Sequence, residues 1–155
     1  MEKLKSLITE ANGALHKADH LVYITYAQVQ ETKLLYTIAY NLYVALNKGM
    51  EAVLHYERLY KRIPLVKRDF EYELGLFKNR IGEYNINRSC VLLLQDLKRL
   101  VETKQKGPID FIRRDKFVIC SEDYSMQVLN LQKVKNYLAD VKIFMDRVNR
   151  TVRLK

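Results

Sequence analysis

Leu35, Leu42, Gly49, Tyr56 and Ile63 recur every seven residues, as do Ile38, Ala45, Ala52 and Leu59. A third row, Ala39, Leu46, Val53 and Tyr60, runs beside them. Rows at this period lie along one side of an α-helix, because 3.6 residues make a turn. Three adjacent rows form an apolar stripe wide enough for a globular core. The pattern predicts one helix from Thr32 to about Ile63, roughly 45 Å long at about 1.5 Å per residue. Ala45, Gly49 and Ala52 leave the middle of the stripe open to close approach by another helix or a bulky side chain. Pro64 is expected to end the element, since the residue before a proline is pushed out of helical geometry.

The rest of the chain follows the same period. Leu4, Ile8, Ala11, Leu15, Ala18 and Val22 predict a first helix from about Glu2 to Val29, with a break near Gln30 to Thr32. Phe70, Leu74, Phe77, Ile81 and Tyr84 predict a third, with Asp69 as N-cap and Gly82 and Asn85 near its end. Cys90, Leu93, Leu94, Leu97, Leu100 and Val101 predict a fourth, with Ser89 as the cap and Gly107-Pro108 as the stop. Pro108 to Asp115 reads as one or two further helical turns, with Pro108 in the first position. The period then changes. Lys116 to Cys120 is β-branched and aromatic, Ser121-Glu122-Asp123 reads as a turn, and Tyr124 to Val128 returns, which predicts a hairpin. A lone hairpin is marginal in water, so this one has to lie on the helices. Leu131, Leu138, Met145 and Val152, beside Val134, Val141 and Val148, predict a last helix from about Asn130 to Val152.

These segments predict an all-α, up-down bundle of about five helices, with a small β-hairpin before the last helix. The 155 residues contain five glycines, two prolines, no internal repeat and no dividing linker, so residues 1–155 read as a single domain. No apolar run approaches the roughly 20 residues of a membrane span, and no membrane partner is expected. Met1-Glu2-Lys3-Leu4-Lys5 leads into an amphipathic pattern, so no secretory leader is expected. Cys90 and Cys120, far apart in sequence, suit a reducing cytoplasm.

Charge is the clustered feature. Arg58 to Arg68 holds +5 and no acid, Lys98 to Lys116 holds +4, and Arg147 to Lys155 holds +4, against +9 for the whole chain. Everything else therefore carries −4. Clustered charge makes a field that attracts a polyanion. Antiparallel neighbours, with the N-terminus placed at the lower end, would bring the first two windows to that end beside Lys3 and Lys5. The last helix would then rise, and its basic tail would finish at the top. Arg58, Lys61, Arg62, Lys67, Arg68, Arg113 and Arg114 are the candidate phosphate ligands for RNA or DNA. No RNP-like aromatic strand or GXXG loop accompanies them.

Eleven tyrosines and no tryptophan mark a second surface. Tyr36, Tyr40 and Tyr43 stand beside the main stripe of the long helix, and Tyr23 and Tyr26 are expected level with Leu35 to Ala39. Tyrosine suits a half-buried site, either the margin of a wide core or a contact with a homodimer mate or another protein. Catalytic signals are missing. His16 and His20 stand four apart, but His55 would lie roughly 15 Å away along the axis, so no metal site and no cofactor is expected. GxxxxGK[ST], GxGxxG after a strand and GxSxG are absent. Neither cysteine has an activating neighbour in sequence.

Long antiparallel helices, basic character and a compact late insertion resemble the HEPN helical bundles of prokaryotes over most of the chain. Many HEPN domains dimerise, and many are metal-independent ribonucleases with an arginine followed four to six residues later by a histidine. Here Arg80 is followed at that distance by Tyr84 and Asn85, and no histidine follows an arginine at that spacing. The resemblance therefore implies a noncatalytic nucleic-acid or partner-binding role. The leading expectation is a noncatalytic cytoplasmic protein that binds an anionic partner. The alternatives are an interaction or dimerisation module using the tyrosine face, and a ribonuclease-like enzyme with an atypical site.

Overall fold

The computed structural model describes residues 1–107 and 109–153. Helix α1 (Glu2–His20) continues through a π turn (Leu21–Thr25) into α2 (Tyr26–Val29). Ala18, Val22 and Tyr26 are four apart and all buried. In a regular α-helix such a row drifts around the axis; the wider π turn takes up the drift and keeps all three on the core. Gln30, with φ 51°, ends the element.

Helix α3 (Leu34–Leu59) buries the expected stripe. It stops before Ile63, and Pro64 is not the cause. Lys61 adopts φ 57°, its N–H donates to the Arg58 carbonyl, and the Arg62 N–H donates back to the Glu57 carbonyl (3.0 and 2.9 Å). This is a Schellman closure with lysine in the left-handed position. Helix α4 (Phe70–Arg80) starts at Asp69, whose carboxylate accepts from the Tyr72 N–H (2.9 Å). It runs into a 3₁₀ turn (Ile81–Tyr84) closed by Asn85 at φ 56°. Ser89 is the first residue of α5 (Ser89–Gln105) and not its cap; the Asn87 side chain accepts the Ser89 N–H instead (2.9 Å).

The segment after α5 corrects the sequence reading. Where helical turns are expected, β1 (Asp110–Arg113) pairs antiparallel with β2 (Lys116–Cys120), which pairs with β3 (Met126–Leu129). Pro108 itself lies outside the described residues. A third strand, with Phe117, Ile119 and Leu129 buried against the helices, supplies what a lone hairpin lacks. Asp123, in the β2–β3 turn, accepts from Ser121 and Ser125, and those hydrogen bonds hold its carboxyl down to about 2. Helix α6 (Leu131–Thr151) follows, capped by Asn130, which accepts the Lys133 N–H (2.7 Å). With α1 and α2 taken as one, the described residues hold five helices and one three-stranded sheet, about 70% helical.

Helix direction is the second correction. Helix α4 has 11 residues against 26 in α3. At about 1.5 Å per residue it spans roughly 16 Å and cannot cross the bundle. Its end lies low, with Arg80 3.2 Å from Glu57 and the Tyr84 ring 6.4 Å from Tyr56, so α5 starts at the lower end and rises. Lys98, midway along it, lies 3.7 Å from the Phe70 ring, and Lys104, near its end, lies 5.7 Å from the ring of Tyr36 at the start of α3. The sheet sits at that upper end, with Phe117 6.3 Å from Tyr36. Helix α6 descends beside α1: Lys142 pairs with Asp19 (2.6 Å), and Asn149 exchanges hydrogen bonds with Asn12 (3.0 and 3.1 Å). The core is continuous, with Phe77 and Phe144 edge to face near its centre.

Candidate nucleic-acid interface

The basic windows land differently from the expected arrangement. Residues 58–62 lie at the lower end, where α3 finishes, while Lys67 and Arg68 stand farther up beside Asn47 and Met50, in one pocket with Lys98 of the second window. Arg113 ends β1 and Arg114 opens the β1–β2 turn at the upper end, away from the first window. The C-terminal window heads downward with α6, not to the top. There Arg147 and Arg150 both pair with Asp146 (3.5 and 3.1 Å), and Lys155 lies outside the described residues.

Within the lower window the side chains divide by role. Arg58 is 5% exposed; its guanidinium donates to both Glu73 oxygens (2.9 and 2.7 Å) and to the Pro64 carbonyl (2.9 Å). It is committed to the fold and has no face left for a phosphate. Glu57 is 0% exposed and accepts from Arg80 (3.2 and 3.3 Å) and from Arg62 (3.3 Å). Arg62 is itself exposed, with its guanidinium 4.9 Å from the Tyr60 ring centre. Tyr84 is buried nearby, and burial followed by the Glu57 charge pushes its hydroxyl pKa up. Lys61, Lys67 and Arg68 point to solvent, and none forms an ion pair among the described residues.

His55 registers the field at this end. Its pKa is lowered, first by burial and then by the positive charges of the amino terminus, Lys67, Lys3 and Arg58. Its Nε2 is covered and has no hydrogen-bond partner among the described residues. Lys3 therefore joins Lys67 across the α1–α3 contact. Sequence separation hides this, although antiparallel pairing of the first two long helices foretells it.

The tyrosine row is largely taken up inside the molecule. Tyr36 and Tyr43 are half-buried, and burial is the first cause of their raised pKa values. The sheet covers Tyr36 through Phe117, while Tyr40 stays exposed. Of the three, Tyr40 offers the most open ring. His16 and His20 are exposed on α1, and no group of three metal-ligating side chains gathers among the described residues. Burial, then Asp140, pushes the Cys90 thiol up to about 11, the opposite of nucleophile activation.

The outer face of the sheet holds residues that a helical reading of 108–115 conceals. Phe111, Val118 and Val128 form one row across the three strands, and Arg113 and Lys116 form the next. With Arg114 and Met126 they line a shallow concavity. The signal is the alternation Phe111, Arg113 facing Lys116, Val118 across Arg114-Asp115, which is strand periodicity around a two-residue turn. No helix is long and apolar enough to cross a membrane among the described residues. No protein-family model matches the chain, no curated protein matches it, and no solved structure matches it.

Proposed function

We propose that this chain is a noncatalytic binding protein for an anionic partner, nucleic acid above all, engaged toward the lower end by Lys3, Lys61, Lys67 and Arg68, with Arg62 at the margin. The carrying observation is the gathering of the amino terminus and Lys3 of α1 with Lys67 of the α3–α4 connection around His55, whose pKa burial lowers first and these charges lower further. Exposed cations that form no ion pair among the described residues keep a field that phosphates can neutralise. Arg58, Arg113 and Arg114 leave this site, the first because it is buried and the others because they sit at the opposite end. Free Cys90 and Cys120 suit a reducing cytoplasm.

Filter binding across a salt series tests the reading. The Lys67→Glu/Arg68→Glu variant is expected to lose roughly tenfold or more in affinity at low salt, with a salt slope shallower by about one for each phosphate contact removed. Absence of binding at low ionic strength, or binding without a salt slope, would refute it.

His55 supplies a local reporter. Its folded pKa is below the unfolded value of about 6.5, so its contribution to stability is full above that pH and is lost as pH falls toward the folded pKa. Phosphates at this end would cancel the neighbouring positive charges. The His55 pKa, followed by NMR titration, is therefore expected to rise when a polyanion is added. An unmoved His55 would place the contact elsewhere.

A further inference from the structure

We propose that the outer face of the sheet is a second contact for the same class of partner and takes it single-stranded, with a base stacked on Phe111 and phosphates held by Arg113, Arg114 and Lys116. The inference rests on the nucleic-acid reading above for the class of ligand, and on different residues for its argument. Phe111 is 41% exposed in the middle of an edge strand. Its cross-strand neighbour Val118 is buried, so the ring stands on an apolar floor. Arg113 lies two residues along the same strand and pairs with Lys116 across the turn. At about 3.4 Å per residue the Cα atoms of Phe111 and Arg113 are roughly 7 Å apart on the same face, on the order of one nucleotide's reach from base to phosphate. Arg113, Arg114 and Lys116 form no ion pair among the described residues, against the one nearby acid, Asp115. Arg114 holds φ 60°, a left-handed conformation that favours glycine, yet a cation occupies it.

The size of the face chooses the occupant. Three strands of four or five residues give a surface of about 14 by 10 Å. That is far below the roughly 800 Å² per partner that a stable protein interface covers. It is wide enough for one or two bases. In a duplex the base faces are already stacked, whereas a single strand can offer them to an aromatic ring beside cations.

The experiment compares a labelled 12-nucleotide oligo-dT and its oligo-U counterpart with labelled heparin, a polyanion without bases, by fluorescence anisotropy. Phe111→Leu, which keeps apolar volume and removes the ring, is expected to weaken oligonucleotide binding about 10-fold and leave heparin unchanged. Phe111→Trp should restore or exceed the wild-type affinity. Thermal melts and sedimentation accompany each variant. Three results would overturn the proposal: unchanged oligonucleotide affinity in Phe111→Leu, an equal loss for heparin, or a Phe111-dependent dimer. Failure here with Lys67→Glu/Arg68→Glu still weakening both ligands removes the sheet site alone. Phe111 dependence with a silent lower end removes the other.

Discussion

Replacing Arg58 by methionine is expected to destabilise the protein by about 3–5 kcal/mol, the penalty for stranding a buried charge. The stranded charge is Glu73, 9% exposed, which loses both of its Arg58 hydrogen bonds. The Pro64 carbonyl loses its donor as well. Methionine matches the apolar stem of arginine, so the loss reads the unpaired polar groups and not a cavity. The Arg58→Met/Glu73→Leu double variant should recover most of the loss, because a buried ion pair can be exchanged for packed apolar groups at little net cost. Urea denaturation at pH 7 measures both. A single-variant loss below about 1 kcal/mol, or a double variant no better than the single, would contradict the assignment. Polyanion affinity of the folded Arg58→Met protein should stay close to wild type, since Arg58 offers nothing to solvent. Its place in a strongly basic run gives it the look of a phosphate ligand, and only burial separates it from Lys67 and Arg68.

The second large effect is expected at Gly49. A Cβ there would stand 2.5 Å from Cε2 and 2.9 Å from Cζ of Phe144, and 3.1 Å from Sδ of Met145. Phe144 cannot swing clear freely, because it is fully buried and packs edge to face on Phe77 at 6.1 Å. For Gly49→Ala, a helix-propensity gain of about 1 kcal/mol opposes an overpacking cost of about 1–3 kcal/mol. The net is a loss of roughly 0–2 kcal/mol. Gly49→Val places two more carbons in the same space and should lose about 3 kcal/mol. Gly13 is the control. No atom lies within 4 Å of its added Cβ, so Gly13→Ala should stabilise by about 0.5–1 kcal/mol. Combining Gly49→Ala with Phe144→Leu should lose less than the sum of the two, the sign of a direct contact. Additive losses, or a stabilised Gly49→Ala, would mean that the helices separate without strain.

The small-residue gap at Ala45, Gly49 and Ala52 is legible in the amino-acid sequence alone, as is the Asp69 cap. Each is a local rule: close approach needs missing side chains, and an N-cap needs an acceptor beside free N–H groups. The site is less legible. Lys61, Lys67 and Arg68 are exposed cations, as their sequence context predicts, whereas Arg58 and Arg62 face carboxylates at 57 and 73 that sequence spacing alone does not bring to them. Phe111 is only faintly legible. A four-residue strand carries one short alternation, easily read as a helical turn after a proline, and the pairing with β2 is what makes it a strand.

Sequence by itself determined that the chain is mostly helical, where its longest helices lie, which faces they bury and which stretches carry the charge. Those properties depend on the period of side chains a few residues apart. Tertiary structure alone decided which way each helix runs and which charges meet. Helix α4 begins beside Asn47, Met50 and Lys98 and ends at Glu57, near the foot of α3, so every later element reverses relative to a strict up-down order. That return sends Arg113 and Arg114 to the sheet end and brings the last helix down toward the amino terminus. Direction accumulates over the whole chain, and no local pattern records it.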